Sequence, residues 1–159
     1  MERALEALRV GNDKAKAVDG LPVRAHRPGQ EASFYEGFAL RGIRVDRIQP
    51  GFLLCSFTVP PRLTDVSGKM AAGAVVNLVD QVGAAVMTSE GHHKKPSVDI
   101  SVAFLSPANL GDELEIRSKV LGNKGGLTGT HILLMNKTTG QVVAEGRHCL
   151  FGNLIKSKI

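Results

Sequence analysis

The stretch Met70–Met87, MAAGAVVNLVDQVGAAVM, decides the fold. Ser67-Gly68-Lys69 precede it and Glu90-Gly91 follow it, so turn formers bound an apolar run of helical length. Steps of three and four residues place Gly73, Asn77, Asp80, Gln81 and Ala84 along one narrow stripe. Val75, Val76, Leu78, Val79, Val82, Ala85 and Val86 cover most of the remaining girth, which predicts a helix buried on several sides. Five of these residues are valines, whose branched side chains lose rotamer freedom in a helix. The stability of such a helix has to come from a sheet wrapped around it. One carboxylate, Asp80, sits in the middle of this apolar rod. Burying an ion costs on the order of several kcal/mol unless partners offset it, so Asp80 is the first residue to ask about. Its stripe with Asn77 and Gln81 also fits a plain solvated helix face.

Outward from the helix, the chain alternates. Upstream, FALRGIRVDRI from Phe38 reads as a strand, Gln49-Pro50-Gly51 as a turn, and FLLCSFTV as a second strand with Leu53, Cys55, Phe57 and Val59 on one face. Pro60-Pro61 ends that strand, and Arg62–Lys69 is the loop that delivers the chain to the helix. Downstream, Gly91–Pro96 is a polar turn. SVDISVAFL then sets Val98, Ile100, Val102 and Phe104 opposite Ser97, Asp99, Ser101 and Ala103. Asp112–Val120 repeats the alternation with one wet and one dry face. Leu127–Asn136 and Gln141–Leu150 complete the set after turns at Asn123–Gly126 and Lys137–Gly140. Two strands, one buried helix and four strands with short connections predict an α+β fold, an antiparallel sheet of about six strands around one long central helix.

The 159 residues, 43% of them hydrophobic, suffice for one sizeable core. Residues 1–33 read as a helical and linker extension, with Leu5, Leu8 and Val10 on one side of an amphipathic helix over roughly the first twenty residues and a proline-rich basic loop after it. Residues 34–159 form the domain. Cys55 and Cys149 are the only cysteines and stand at no metal-ligand spacing, so neither a disulfide framework nor a metal site is expected, and a reducing compartment is the simpler reading. The opening MERALEALRV lacks the apolar centre of a secretory signal. No run approaches the roughly 18 apolar residues needed to span a bilayer, so no membrane insertion is expected. The net charge of +5 favours an anionic partner. Its Lys and Arg residues are scattered, with one Tyr and no Trp, which argues against nucleic acid and leaves a phosphate-bearing small molecule. In GNKGGL, Gly122–Leu127, exposed amides and one ammonium in a tight turn suit a phosphate, and equally a plain hairpin. His92 and His93 read as a solvated turn, and His148, beside Arg147, as structural.

Three segments carry a family likeness: AAGAVVNLVDQVG (Ala71–Gly83), SVDISVAFLSPANLGDELEI (Ser97–Ile116) and NKTTGQVVAEGRHCLFG (Asn136–Gly152). Together they resemble the hotdog-fold acyl-CoA thioesterases of the thioesterase superfamily member and phenylacetate-pathway type, over roughly Phe38–Gly152. The resemblance implies hydrolysis of a fatty or aromatic acyl-CoA to free acid and CoA, with no cofactor beyond the CoA thioester that is the substrate. Its alternative is a non-catalytic hotdog module that binds acyl-CoA or acyl carrier protein. It implies that Asp80, contributed by a neighbouring subunit, activates water or attacks the carbonyl, and that Ser97 helps position the water. It places Ala71, Ala72 and Gly73 where relatives begin the helix with His-Gly-Gly. A backbone N–H donates whatever side chain it carries, so Ala72 and Gly73 can still build an oxyanion hole. Asp65 stands where relatives have an asparagine. An ionised carboxylate there would repel an oxyanion, so Asp65 is turned away, or protonated, or the reaction differs in detail. The same resemblance assigns CoA contacts to Asp99, to Phe104, Ser106 and Asn109, and to the loop of Gly122, Asn123, Lys124, Gly125, Gly126 and Leu127. It implies a homo-oligomer, with a homotetramer built as a dimer of dimers. The final Ser157-Lys158-Ile159 is one residue from a peroxisomal address, which leaves peroxisome and cytoplasm both open.

Overall fold

The computed structural model describes residues 2–23, 25, 27 and 33–152. The Ser157-Lys158-Ile159 motif lies outside the described residues. By contacts the chain divides into two compact units, Met1–Gly37 and Phe38–Ile159.

In the first unit, α1 (Glu2–Ala7) and α2 (Asn12–Asp19) are separate helices, where the sequence pattern suggests one amphipathic helix interrupted near Gly11. Gly11 is the extended residue ahead of α2, which is why the helix breaks there. Leu5, Leu8 and Val10 are all exposed.

The expected first strand is corrected at its start. Phe34–Leu40 is a helix, α3, and the strand β1 begins only at Arg44 (Arg44–Gln49). Ser33 and Glu36 form a reciprocal cap. The Glu36 amide donates to Ser33 Oγ at 3.1 Å and the Ser33 amide to Glu36 Oε2 at 2.7 Å. At the other end the Arg62 guanidinium donates to the carbonyls of Phe38 and Arg41. Two orphan carbonyls are thus satisfied, and the local signal Ser-x-x-Glu outweighs the apolar alternation.

The remaining elements are β2 (Phe52–Thr58), a single 3-10 turn (Pro61–Leu63), α4 (Ala72–Thr88), β3 (Ser97–Phe104), β4 (Glu113–Lys124), β5 (Leu127–Asn136) and β6 (Val142–Phe151). The six strands form one antiparallel sheet in the order β1-β2-β4-β5-β6-β3. α4 crosses one face of this sheet and packs against every strand from β2 to β3. The hotdog architecture read from the sequence is the one observed. Leu53, Cys55 and Phe57 of β2 point inward as the alternation predicts, and meet Leu114, Ile116, Ile132 and Leu134 beneath Val75, Leu78, Val79, Val82 and Val86 of α4.

Two glycines set how closely the helix lies on the sheet. A Cβ on Gly146 of β6 would fall 2.5 Å from Val79 Cγ1. One on Gly83 would fall 2.8 Å from Ile132 Cδ1 and 2.9 Å from His148 Nδ1. These are below any tolerable contact, so the middle of α4 rests directly on β5 and β6.

The two sheet edges differ. β1 carries Arg44, Asp46 and Arg47 and is bent by a bulge between Val45 and Arg47, devices that discourage pairing. β3 is eight residues long with Asp99 as its single charge. Ile100 and Val102 lean on the core, while Val98 and Phe104 are more than half exposed.

Candidate active site

α4 begins without a side-chain cap. Ala71 is the extended residue ahead of it, and the first helical bonds run from the Ala74 and Val75 amides back to the Ala71 carbonyl, at 2.9 and 3.2 Å. Among the described residues, nothing accepts from the amides of Ala72 and Gly73. Both residues are exposed, so two N–H groups at the positive end of a seventeen-residue helix face outward. Ala72 borders a cavity of about 420 Å³, lined also by Asp65, Met70, Phe104 and Ser106. Ser106 is turned to the Val142 carbonyl at 2.7 Å.

Asp65 is neither protonated nor idle. Its Oδ1 accepts from Ser67 Oγ at 2.7 Å, the Ser67 amide at 2.8 Å and the Lys69 amide at 3.1 Å. Those bonds, the Ser67 hydroxyl foremost, hold its carboxyl below the usual range. Of the three alternatives the sequence leaves for Asp65, protonation is the one this geometry removes. The carboxylate closes the loop that leads into α4.

Asp80 lies two turns further along. From Ala72 to Asp80 is eight residues, about 12 Å at the helical rise. Its side chain is 28% exposed, neither buried in the apolar rod nor free on a fully solvated face. Ser97, the first residue of β3, donates its hydroxyl to Asp80 Oδ1 at 2.7 Å. Gln81 Nε2 donates to Oδ2 at 2.9 Å. His148 Nε2 stands 3.4 Å from Oδ1. The ring of His148 is fully buried, and among the described residues neither of its nitrogens makes a hydrogen bond. Burial pushes its pKa below the usual imidazole value of 6.5, against the opposing pull of the Asp80 charge, the Asp80 backbone and then Asp99. Sequence reasoning left His148 out of the site. The available signal was its place in the inward row of β6, with Ala144, Gly146 and Leu150, where an imidazole has to meet something polar.

The other expected substrate contacts scatter. Asp99 is exposed on β3. The Asn109 amide and side chain both turn to Asp112 Oδ2, at 2.8 and 3.5 Å, so Asn109 builds a turn. Gly122 and Asn123 end β4 in a two-residue hairpin, with Gly125 and Gly126 at φ +60° and +119° between the paired Lys124 and Leu127. Lys95 clamps that hairpin from the segment preceding Ser97, donating to the Gly126 carbonyl at 3.0 Å and to Thr128 Oγ1 at 2.8 Å. The hairpin is thereby tied to the Asp80–Ser97 end of β3, while Phe104 and Ser106 stand at the Ala72 end.

A second, apolar cavity of about 350 Å³ opens between α4 and the β1–β2 hairpin, lined by Leu53, Cys55, Val82, Ala84 and Ala85, with Gln81 at its border. Burial, then the charge of Asp46, pushes the Cys55 thiol up to about 11, so it stays protonated and contributes no nucleophile. Among the described residues no cluster of metal-ligating side chains occurs.

Comparison with known proteins gives concordant findings. Residues 67–142 match the family model of the thioesterase superfamily. Over 100 residues the chain is 34% identical to the human acyl-coenzyme A thioesterase 13, covering 62% of this chain and 71% of that protein. Zebra fish thioesterase superfamily member 2 superposes with a TM-score of 0.71 at 25% identity, over 77% of this chain and 88% of that one. A hypothetical thioesterase protein from Streptococcus pneumoniae, solved with coenzyme A, superposes with a TM-score of 0.68 over 71% and 87% of the two chains. Its 18% identity speaks to the fold alone.

Proposed function

The chain belongs to the thioesterase superfamily, and from that premise we propose that it is an acyl-CoA thioesterase whose site is shared between two copies. The observation that carries the shared site is the split geometry. The bare amides of Ala72 and Gly73 stand near the Phe104 end of β3, and Asp80 with Ser97 at the other end, about 12 Å away along the helix. One chain cannot bring both to a single carbonyl. Two copies paired antiparallel along β3 about a two-fold axis exchange those ends, which sets Asp80 and Ser97 of one against Ala72 and Gly73 of the other. The scarcity of charge on β3 and the exposed Val98 and Phe104 suit that pairing.

In this arrangement the thioester oxygen accepts from the amides of Ala72 and Gly73, worth about 3 kcal/mol per donor in the transition state. Ser97 and Asp80 hold a water opposite the carbonyl carbon. Asp80 takes its proton while the hydroxide oxygen bonds to carbon, a general-base contribution of about 10² to 10⁴. The tetrahedral intermediate then collapses, the C–S bond breaks, and the proton on Asp80 passes to the departing thiolate. Direct attack by the carboxylate through an anhydride uses the same residues. Asp65 serves the reaction as the clasp of the loop ahead of α4. The acyl group occupies the apolar cavity beside Gln81, and CoA lies along the surface bearing Asp99, Phe104 and Ser106 toward Lys124 of the hairpin. The net charge of +5 suits an anionic substrate.

A panel of short, medium, long and aromatic acyl-CoA thioesters, assayed for free thiol with light scattering on the same sample, tests the reading. Turnover by a dimer or a dimer of dimers is expected. Binding without turnover across the panel overturns the enzyme and favours the carrier-binding module. Import into peroxisomes through Ser157-Lys158-Ile159 is tested by a fluorescent fusion with and without those three residues.

A further inference from the structure

We infer that His148 is the positioning residue for Asp80, a neutral imidazole locked beneath α4 whose Nε2–H donates to Asp80 Oδ1 when substrate is bound. The inference rests on the thioesterase reading and adds a residue to it.

Three observations carry it. The first is burial without satisfaction: the ring is fully buried and, among the described residues, neither nitrogen has a hydrogen-bond partner, although buried polar groups are almost always paired. Its neighbours in the inward row of β6 are Ala144, Gly146 and Leu150, and an apolar side chain would pack there without the desolvation that an unpaired imidazole suffers. The second is direction. Nδ1 lies against Gly83, at the spot where any Cβ would collide with it at 2.9 Å. Nε2 faces Asp80 Oδ1 at 3.4 Å. The carboxylate oxygen beside the ring is on the Nε2 side, and this contact assigns the proton to that nitrogen. The absence of a side chain at Gly83 is what lets the ring lie flat enough under the helix to reach.

The third is the set of donors around Asp80. Ser97 reaches it from β3, Gln81 from the neighbouring helical position, and His148 from β6 beneath. Together they hold the carboxylate in one rotamer. At 3.4 Å the His148 contact does not meet hydrogen-bond geometry, and catalytic contacts of this kind tighten in the substrate complex. The charged groups acting on the imidazole are both acidic, Asp80 on α4 and Asp99 on β3. β5 presents the neutral Thr130, whose hydroxyl donates to the carbonyl of His148 itself at 3.3 Å.

The experiment joins a spectroscopic readout to a pair of variants. In the full-length protein labelled with ¹⁵N at histidine, His148 is expected at pH 7 as the neutral tautomer protonated on Nε2. An imidazolium or an Nδ1–H tautomer overturns the proposal without any substitution. His148→Phe, which keeps the bulk and removes the donor, is expected to lower kcat by roughly 30-fold with KM within about threefold. His148→Gln, whose amide can donate from nearly the same point, is expected to restore kcat to within about fivefold of the parent. A folded His148→Phe with kcat within threefold of the parent, or a folded His148→Gln no better than His148→Phe, sinks the proposal. Should His148→Phe not fold, a folded His148→Gln that loses 30-fold or more also sinks it. Asp80→Asn is run alongside. If it alone loses activity, the positioning role falls and the thioesterase stands. If the parent releases no thiol from any acyl-CoA, the enzyme reading falls while the tautomer measurement still reports on His148.

Discussion

Asp65 and Asp80 are the same side chain put to opposite uses. Every recorded donor to Asp65 comes from Ser67 or Lys69, within four residues, so the carboxylate ties a local knot. The groups around Asp80 come from β3, from β6 and from the adjacent helical residue. A carboxylate satisfied by its own loop organises backbone. One that draws together elements far apart in sequence is held where chemistry can use it. Charge alone does not separate the two.

The sharpest way to break this comparison is Asp80→Asn. It keeps the shape and the Ser97 contact but removes the base, and should cost at least about 100-fold in kcat while the melting temperature and oligomer stay put. Retained activity in a folded oligomer would erase the distinction between the two acids. Ser97→Ala removes one of Asp80's long-range donors, and a fall of roughly 10-fold in kcat, read in the same thiol-release assay, would sharpen it.

Acid titration of stability probes the ground beneath Asp80. His148 folds with a depressed pKa, so the stability it leaves intact is fully present above its unfolded value of 6.5 and lost as pH falls toward the folded value. Chemical unfolding between pH 7 and 5 should show a slope of up to about 1.4 kcal/mol per pH unit that His148→Gln removes. The smallest effect belongs to Asp65→Asn. An amide oxygen can still accept from the Ser67 and Lys69 amides, so kcat should stay within about threefold of the parent. A hundredfold loss there would show that the local acid is part of the chemistry after all.

The same contrast explains what the sequence could disclose. Strand and helix patterning depends on neighbours two to four residues apart, so β2, α4 and β4 were legible from alternation and from the apolar girth of Met70–Met87. α3 was legible too, through Ser33 and Glu36, but its apolar residues imitate a strand and the cap was passed over. Ser97 reached the candidate set through family likeness. His148 did not, because alternation along β6 says only that it faces inward, and its partner is 68 positions away. The hairpin of Gly125 and Gly126 was read as turn or phosphate cradle. Its clamp by Lys95 is a long-range fact that no spacing rule contains.

The eight-residue gap between Ala72 and Asp80 has a kinetic corollary. If each chain owns half of two centres and the whole of none, catalysis obeys the mass action of association. Turnover per chain should climb with protein concentration, level off once partners are saturated, and collapse on dilution well before any chain unfolds. Assays run at trace enzyme would then underreport the rate.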